Sequence, residues 1–297
     1  MNVTEISMML PNRFRKYVEK ILQKQEIEEV RIRINKPLMF YDACNEYEME
    51  IEEKNICSKD MNEIIQYISG YSLYAFENEL REGFITVKGG HRVGIAGKFI
   101  IEDKRVKNIV NISSINLRIS RELTGITNGY DEKLLGDGAK NILIISPPGA
   151  GKTTLLREIV RIASDKYKLI CTVVDERGEI AASYKGIPSK NVGKRTDVLD
   201  CCPKDVGMMM AIRALAPDVV AVDEIGSDED ILCINKCGHC GIKIVSTIHG
   251  ENIEDISSRN GFGEMIKSRF FDRYILLKNV AGRRSVEIYD NVFKRLE

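Results

Sequence analysis

No apolar run in this 297-residue sequence reaches the length needed to span a bilayer; the longest are strand-sized pieces such as Asn141 to Ser146 and Val219 to Val222. The first residues, Met1-Asn2-Val3-Thr4-Glu5, lack the basic region and apolar core of a secretory signal, so a cytoplasmic chain without a transmembrane segment is expected. Net charge is missing as well, with 44 Lys and Arg against 44 Asp and Glu. No global field then draws the chain onto nucleic acid or anionic lipid, and such a partner has to be recognised locally. No nucleic-acid partner is expected, although Lys104, Arg105 and Lys107 form a local basic patch. Internal repeats and low-complexity tracts are also absent.

Cysteines are present but follow no framework. The eight, Cys44, Cys57, Cys171, Cys201, Cys202, Cys233, Cys237 and Cys240, are scattered through a large chain and read as thiols. Cys233, Cys237, His239 and Cys240 offer zinc-type donors, but within eight residues and without a second ligand pair. They fall where a helix should turn at Gly238 and Gly241 into the strand Ile242 to Ser246. Buried thiols at a helix C-terminus are the expected reading.

The length fits two domains, each able to bury its own core. In the first, Phe14, Tyr17, Val18, Ile21 and Leu22 recur at helical spacing, and strand-like runs follow at 28–34 and 37–42. Helices are expected at Lys59–Ile68, capped by Ser58, and at Ser72–Arg81, then strands at 84–87, 92–100 and 115–120. Gly89-Gly90 before His91-Arg92 is first of all a hairpin turn. The glycines from Thr124-Gly125 through Gly129, Gly136 and Gly138 mark a linker. The expected division is a smaller mixed α/β N-terminal domain over 1–125, a linker over 126–139 and a second domain over 140–297. In the second, apolar strands alternate with helices, which implies a mainly parallel sheet.

Chemistry begins at that change of pattern. Strand 141–146 runs into Pro147-Pro148-Gly149-Ala150-Gly151-Lys152-Thr153-Thr154, and a helix then carries Leu155, Leu156, Ile159, Val160 and Ala163. Strand, loop and helix are the context that a phosphate-binding P-loop requires. Residues 148–154 (Pro148, Gly149, Ala150, Gly151, Lys152, Thr153, Thr154) would cradle the phosphates of ATP with inward-turned N–H groups. Lys152 supplies positive charge to the β and γ phosphates, and Thr153 ligates Mg²⁺. The first motif position, usually Gly, is Ser146, where altered loop geometry rather than lost binding is expected.

Three further strand ends converge on the same chemistry. Pro217 through Glu224 is a buried strand ending in two carboxylates, Asp223 for the Mg²⁺ shell and Glu224 to orient or deprotonate the attacking water. Leu169 to Val174 leads into Asp175-Glu176-Arg177-Gly178-Glu179, and Glu176 could face the γ-phosphate beside Glu224, because strand C-termini of a parallel sheet share one crevice. Strand 242–247 ends at His249, able to donate a hydrogen bond to the γ-phosphate. A RecA-like P-loop ATPase domain is the fold class expected for 140–297.

Together the blocks Gly149–Thr154, Val174–Arg177, Arg195–Asp200, Pro217–Gly226 and Ser246–Gly250 resemble the stage III sporulation protein AA family, which is related to the secretion ATPases of type II and type IV systems. The resemblance reaches into the first half through Gly83–Gly94. It implies an acidic box at Asp175, Glu176 and Arg177, a histidine box at His249, and a hexameric ring with nucleotide between the two domains. Arginines would arrive across the ring, with Arg118, Arg195 and Arg213 as candidates, since a guanidinium pairs bidentately with phosphate oxygens. It further implies a peripheral motor at the mother-cell cytoplasmic face, acting on membrane components of a channel-like secretion complex that joins mother cell and forespore. The rival readings are a helicase-loader-like P-loop protein gripping single strands, and a nucleotide-gated scaffold with little turnover.

Overall fold

The computed structural model describes residues 3–49, 55–70, 83–102, 105–122, 125–127, 129–136, 138–280 and 283–297. The expected helix Ser72–Arg81 lies outside them. The chain forms two compact units, Met1–Glu122 and Leu123–Glu297.

In the first unit the helix Asn12–Lys24 buries Phe14, Val18 and Leu22, which recur every four residues on one stripe. Its sheet holds β1 (Glu29–Arg33), β2 (Met39–Tyr41), β3 (Glu46–Glu48), β4 (Phe84–Val87), β5 (His91–Glu102) and β6 (Arg105–Arg118). The order is β3-β2-β1-β6-β5-β4, with every pairing antiparallel. The last strand begins well before the expected 115–120, because residues 105–114 pair with the outer half of β5 rather than with the core that gives a strand its alternation.

Ser58 is not the cap of the helix Ser58–Ile68. Cys57 is the extended N-cap residue, and the Asp60 carboxylate three positions into the helix accepts its backbone N–H at 2.7 Å. Arg13 holds that carboxylate from the other side (Nε–Oδ1 3.1 Å). The Gly89-Gly90 turn is as expected: both residues have positive φ (+85° and +72°), and the Gly90 N–H returns to the Val87 carbonyl. His91 is buried and accepts the Ser120 N–H at Nδ1 (3.0 Å).

The second unit is built on β7 (Ile142–Ser146), β8 (Cys171–Asp175), β9 (Thr196–Asp200), β10 (Val219–Val222), β11 (Lys243–His249), β12 (Arg273–Val280) and β13 (Arg283–Asp290). Their order is β13-β12-β7-β11-β10-β8-β9, and all neighbours run parallel except the final hairpin β12–β13. Period-two alternation splits the strand side chains between two apolar cores, one per face. Ile142, Ile144, Val173, Val219 and Ala221 pack with the helix Lys152–Asp165. Leu143, Ile145, Val174, Val220 and Val222 pack with the helices Lys204–Met210 and Asp228–His239. Cys233 and Cys237, one helical turn apart, belong to that second core, and burial pushes the Cys237 thiol up to about 12. Within the stretch read as a linker, the short helix Asp131–Leu135 buries Leu134 and Leu135 against the first core.

Candidate active site

Parallel register brings the functional strand ends to one edge of the sheet. His249 pairs with Ser146, and Val222 pairs with both Val174 and Ser246. The residues that follow β7, β8 and β10 therefore meet the end of β11, although they are separated by up to about a hundred positions in sequence.

The loop between β7 and the following helix takes its shape from two glycines, with Gly149 at φ +75° and Gly151 at φ +99°. A Cβ at Gly149 would meet nothing within 4 Å, so that residue is required by its dihedral and not by crowding. Ser146 is the extended last residue of β7, a conformation open to any side chain, and its hydroxyl bonds the Pro147 carbonyl at 3.0 Å. Glycine is not needed there. The helix Lys152–Asp165 starts directly after Gly151 with no side-chain cap and no acid in its first turn. Its first N–H groups and the positive end of its dipole are left for an anion.

Around this helix start the side chains form one connected network. The Thr153 hydroxyl donates to Asp223 Oδ2 at 2.6 Å, and the Thr247 hydroxyl donates to Asp223 Oδ1. Thr247 Oγ1 also accepts the Glu224 N–H at 2.9 Å. Glu224 stands at φ +53°, an uncommon value for a residue with a side chain, and such strain persists only where the surroundings over-determine it. Here they do, since Lys204 Nζ donates to the Glu224 carbonyl (2.7 Å) and to Asp230 Oδ2 (3.2 Å).

The Glu224 carboxylate is thereby aimed at His249 (Oε1–Nε2 2.9 Å) and Arg177 (Oε2–Nη1 2.6 Å). Lys152 Nζ lies 2.9 Å from His249 Nδ1. Nζ is also 3.2 Å from Nε2; since an ammonium can only donate, the tautomer that serves both neighbours has Nδ1 accepting from Lys152 and the Nε2 proton given to Glu224. Burial works to raise the Glu224 carboxyl, but the His249 hydrogen bond and the charges of Arg177 and Lys152 outweigh it, and its pKa falls below the usual glutamate value. For Lys152 burial wins over the attraction of Glu224, Asp223 and Glu179, and its pKa is lowered.

Glu176 and Arg177 line the same small cleft as Asp223, Glu224 and Lys204. Their loop is held from beneath. The buried Asp175 carboxylate accepts the N–H groups of Glu179 (2.8 Å), Ile180 (3.2 Å) and Ala181 (2.8 Å), and Arg157 bonds the carbonyls of Glu179 and Ile180. Asp175 is thus a loop brace, and Glu176, 3.9 Å from Lys204, is the acid of this box that opens to solvent.

Within the second unit the structure brings together Lys152, Thr153, Asp223, Glu224, Glu176 and His249, but not Arg195 or Arg213. Arg195 precedes β9 at the opposite end of the sheet, where its guanidinium bonds the Ser164 carbonyl (3.0 Å) and its own carbonyl accepts from Cys171, the first residue of β8. Arg213 is exposed in a π-turn over Ala211–Leu215, and Arg118 ends β6 beside Glu29 (3.7 Å). Thr247 and Lys204 escaped the sequence reading. Thr247 stood within the strand before His249, where alternation could have assigned it inward, whereas nothing local to Lys204, twenty residues before Glu224, marks it.

The model of the family described as sporulation stage III, protein AA matches residues 2–296. Stage III sporulation protein AA of Bacillus subtilis is 40% identical over 303 residues, covering 99% of this chain and 98% of that protein. Among solved structures, the Legionella pneumophila ATPase DotB is similar with a TM-score of 0.61 at 15% identity, over 93% of this chain and 81% of that one. The pilus retraction motor PilT with bound ADP reaches 0.64 at 14% identity, over 92% and 81%. At such identities these likenesses establish the fold, an antiparallel-sheet domain followed by a mainly parallel α/β domain of secretion-ATPase type.

Proposed function

The chain belongs to the stage III sporulation protein AA family, and we propose that it is a Mg²⁺-dependent ATPase that works as a homo-oligomeric, hexameric ring. Its work would energise a sporulation-associated secretion or channel complex between mother cell and forespore, from the cytoplasmic face of the mother-cell membrane. The observation that carries the reading is the network from Lys152 through His249 and Glu224 to Thr247, Asp223 and Thr153, gathered at an uncapped helix start. The left-handed backbone at Glu224 is held by Thr247 and Lys204, and its carboxylate meets His249 and Arg177 rather than open solvent.

In this reading the loop 148–154 binds the triphosphate through its N–H groups, and Lys152 leaves His249 for phosphate oxygens. Thr153 and Asp223 present two adjacent oxygen donors of the kind Mg²⁺ takes, and would hold the ion. Bound there, Mg²⁺ would neutralise charge on the β and γ phosphates. Glu224 orients the attacking water and accepts its proton on a carboxylate oxygen, with Glu176 beside it. Arginines reach the site from neighbouring subunits, with Arg118, Arg195 and Arg213 the candidates.

Steady-state ATP hydrolysis followed against protein concentration, with assembly read by light scattering, tests the motor. Activity per subunit is expected to rise with assembly; ATP binding without turnover in any assembled state would sink the reading and leave a nucleotide-gated scaffold. Lys204→Ala should lower kcat roughly tenfold with KM little changed, because the water-orienting strand end loses its tether while the phosphate loop is untouched. Lys204→Arg should recover part of the loss. The same Ala variant should lose about 1–3 kcal/mol of stability, since the buried Asp230 keeps its backbone donors but not its cation.

A further inference from the structure

The N-terminal sheet carries a feature that the ATPase reading does not use. In β5 the inward alternation is regular through His91, Val93 and Ile95, all buried. From Ala96 outward it stops. Register with β6 shifts between Ala96 and Lys98 and again between Ile100 and Ile101. Gly97 sits at the first shift, where a Cβ would stand 2.8 Å from Ile112 Cα and 2.9 Å from the Asn111 carbonyl, and Asn111 itself has φ +50°. An irregularity of this kind re-aims the strands beyond it.

The re-aimed arm exposes consecutive large apolar residues, Phe99, Ile100 and Ile101, at 41%, 42% and 58%. Phe99 and Ile100 are paired in regular register with Ile109 and Asn108, so their side chains point to opposite faces. A sheet face that packs on one partner leaves its other face polar. Apolar residues on both faces of a narrow arm suit immersion in an apolar medium instead.

The charges fit the same occupant. Lys98 and Lys107 are exposed on the two strands, Lys107 in a solvent-exposed ion pair with Glu102 (2.6 Å), and by sequence the stretch 98–107 carries four cations against two acids in a chain whose net charge is zero. We propose that the outer arm of the β5–β6 hairpin anchors the protein to an anionic phospholipid surface. Phe99, Ile100 and Ile101 enter the interfacial layer while Lys98 and Lys107 reach headgroups. Entry is shallow, because an open two-stranded arm carries backbone groups that must stay in reach of headgroup water. The assignment stands whether or not ATP is hydrolysed.

Sedimentation of the full chain with phosphatidylglycerol–phosphatidylcholine vesicles, against pure phosphatidylcholine vesicles, tests it. Binding to the anionic vesicles is expected, weakening with salt, and Ile100→Ser/Ile101→Ser should reduce it roughly tenfold or more. Lys98→Glu/Lys107→Glu should reduce it by a similar factor and abolish the preference for anionic lipid. All of these side chains are exposed, so unchanged thermal melting should confirm intact folding in both variants. Lys152→Met should sediment like the parent, which separates failure of this anchor from failure of the ATPase. No binding to anionic vesicles, or equal binding by the variants, overturns the proposal. So does a shift of labelled single-stranded DNA, or a self-association, that disappears with the same substitutions.

Discussion

Replacing Glu224 by Gln is expected to cut ATP turnover by roughly 10²–10³-fold while nucleotide affinity stays within a few-fold of the parent. The amide keeps the side-chain shape, and its single oxygen accepts from one of the two donors, His249 or Arg177, while its NH2 faces the other; it cannot take a proton from water. In free energy the loss is about 3–4 kcal/mol of transition-state stabilisation. The folding cost is far smaller. Arg177 is largely exposed, and an ion pair of that kind contributes about 0–1 kcal/mol, while the left-handed backbone at 224 is as strained with Gln as with Glu. Turnover, fluorescent-nucleotide titration and a thermal melt on the same preparation separate the three effects. Turnover that survives Glu224→Gln but is lost in Glu176→Gln would transfer the base to the other acid of the cleft. Loss in both, with binding retained, would mean that the two carboxylates share the water.

The second large effect is expected at Lys152. Lys152→Met should weaken ATP binding by about 100-fold or more, because the triphosphate loses the ammonium that meets its β and γ oxygens. Nucleotide-free protein should not be destabilised, and its melting temperature should hold or rise. Burial lowers the Lys152 pKa despite the nearby acids, so folding works against the charged form, and a methionine of similar length removes that cost. The sign of the pH dependence follows. With the folded pKa below the unfolded one, the unfolded chain holds more protons between the two values, so the lysine form gains stability as pH rises through that window. The advantage of Met should therefore be greatest near neutrality and shrink toward the ordinary lysine value. A variant that binds ATP normally, or one that melts far below the parent with a gap independent of pH, would refute this account of the site.

How far the site could be read in advance differs residue by residue. The loop at Gly149 and Gly151 and the helix start at Lys152 and Thr153 were legible because such a turn needs glycines at positive φ, and that demand is local. Asp223 and Glu224 were legible because two acids end an otherwise apolar strand. The 105–114 half of β6 was not, since its partner is the outer arm of β5 and not a core that would impose strict alternation. β9, an edge strand reading Thr-Asp-Val-Leu-Asp, carries too much polarity to stand out from a loop. Ser58 looked like the cap by residue type, but the Arg13–Asp60 pair, joining positions 47 apart, settled the helix start at Cys57.

By itself the sequence determined the glycine-rich loop after β7, the acidic strand end, the parallel α/β class and the family, because each rests on residues close together along the chain or on an ordered set of such blocks. Only the tertiary structure decided how those blocks act on one another. It made Asp175 a brace rather than a reactant and recruited Thr247 and Lys204 to hold Asp223 and Glu224. It also coupled Lys152 to Glu224 through His249, and placed Arg195 at the far end of its own sheet. The physical reason is register. A parallel sheet aligns the C-terminal ends of strands far apart in sequence, and hydrogen bonds reaching only about 3 Å then select which of the side chains gathered there can work together.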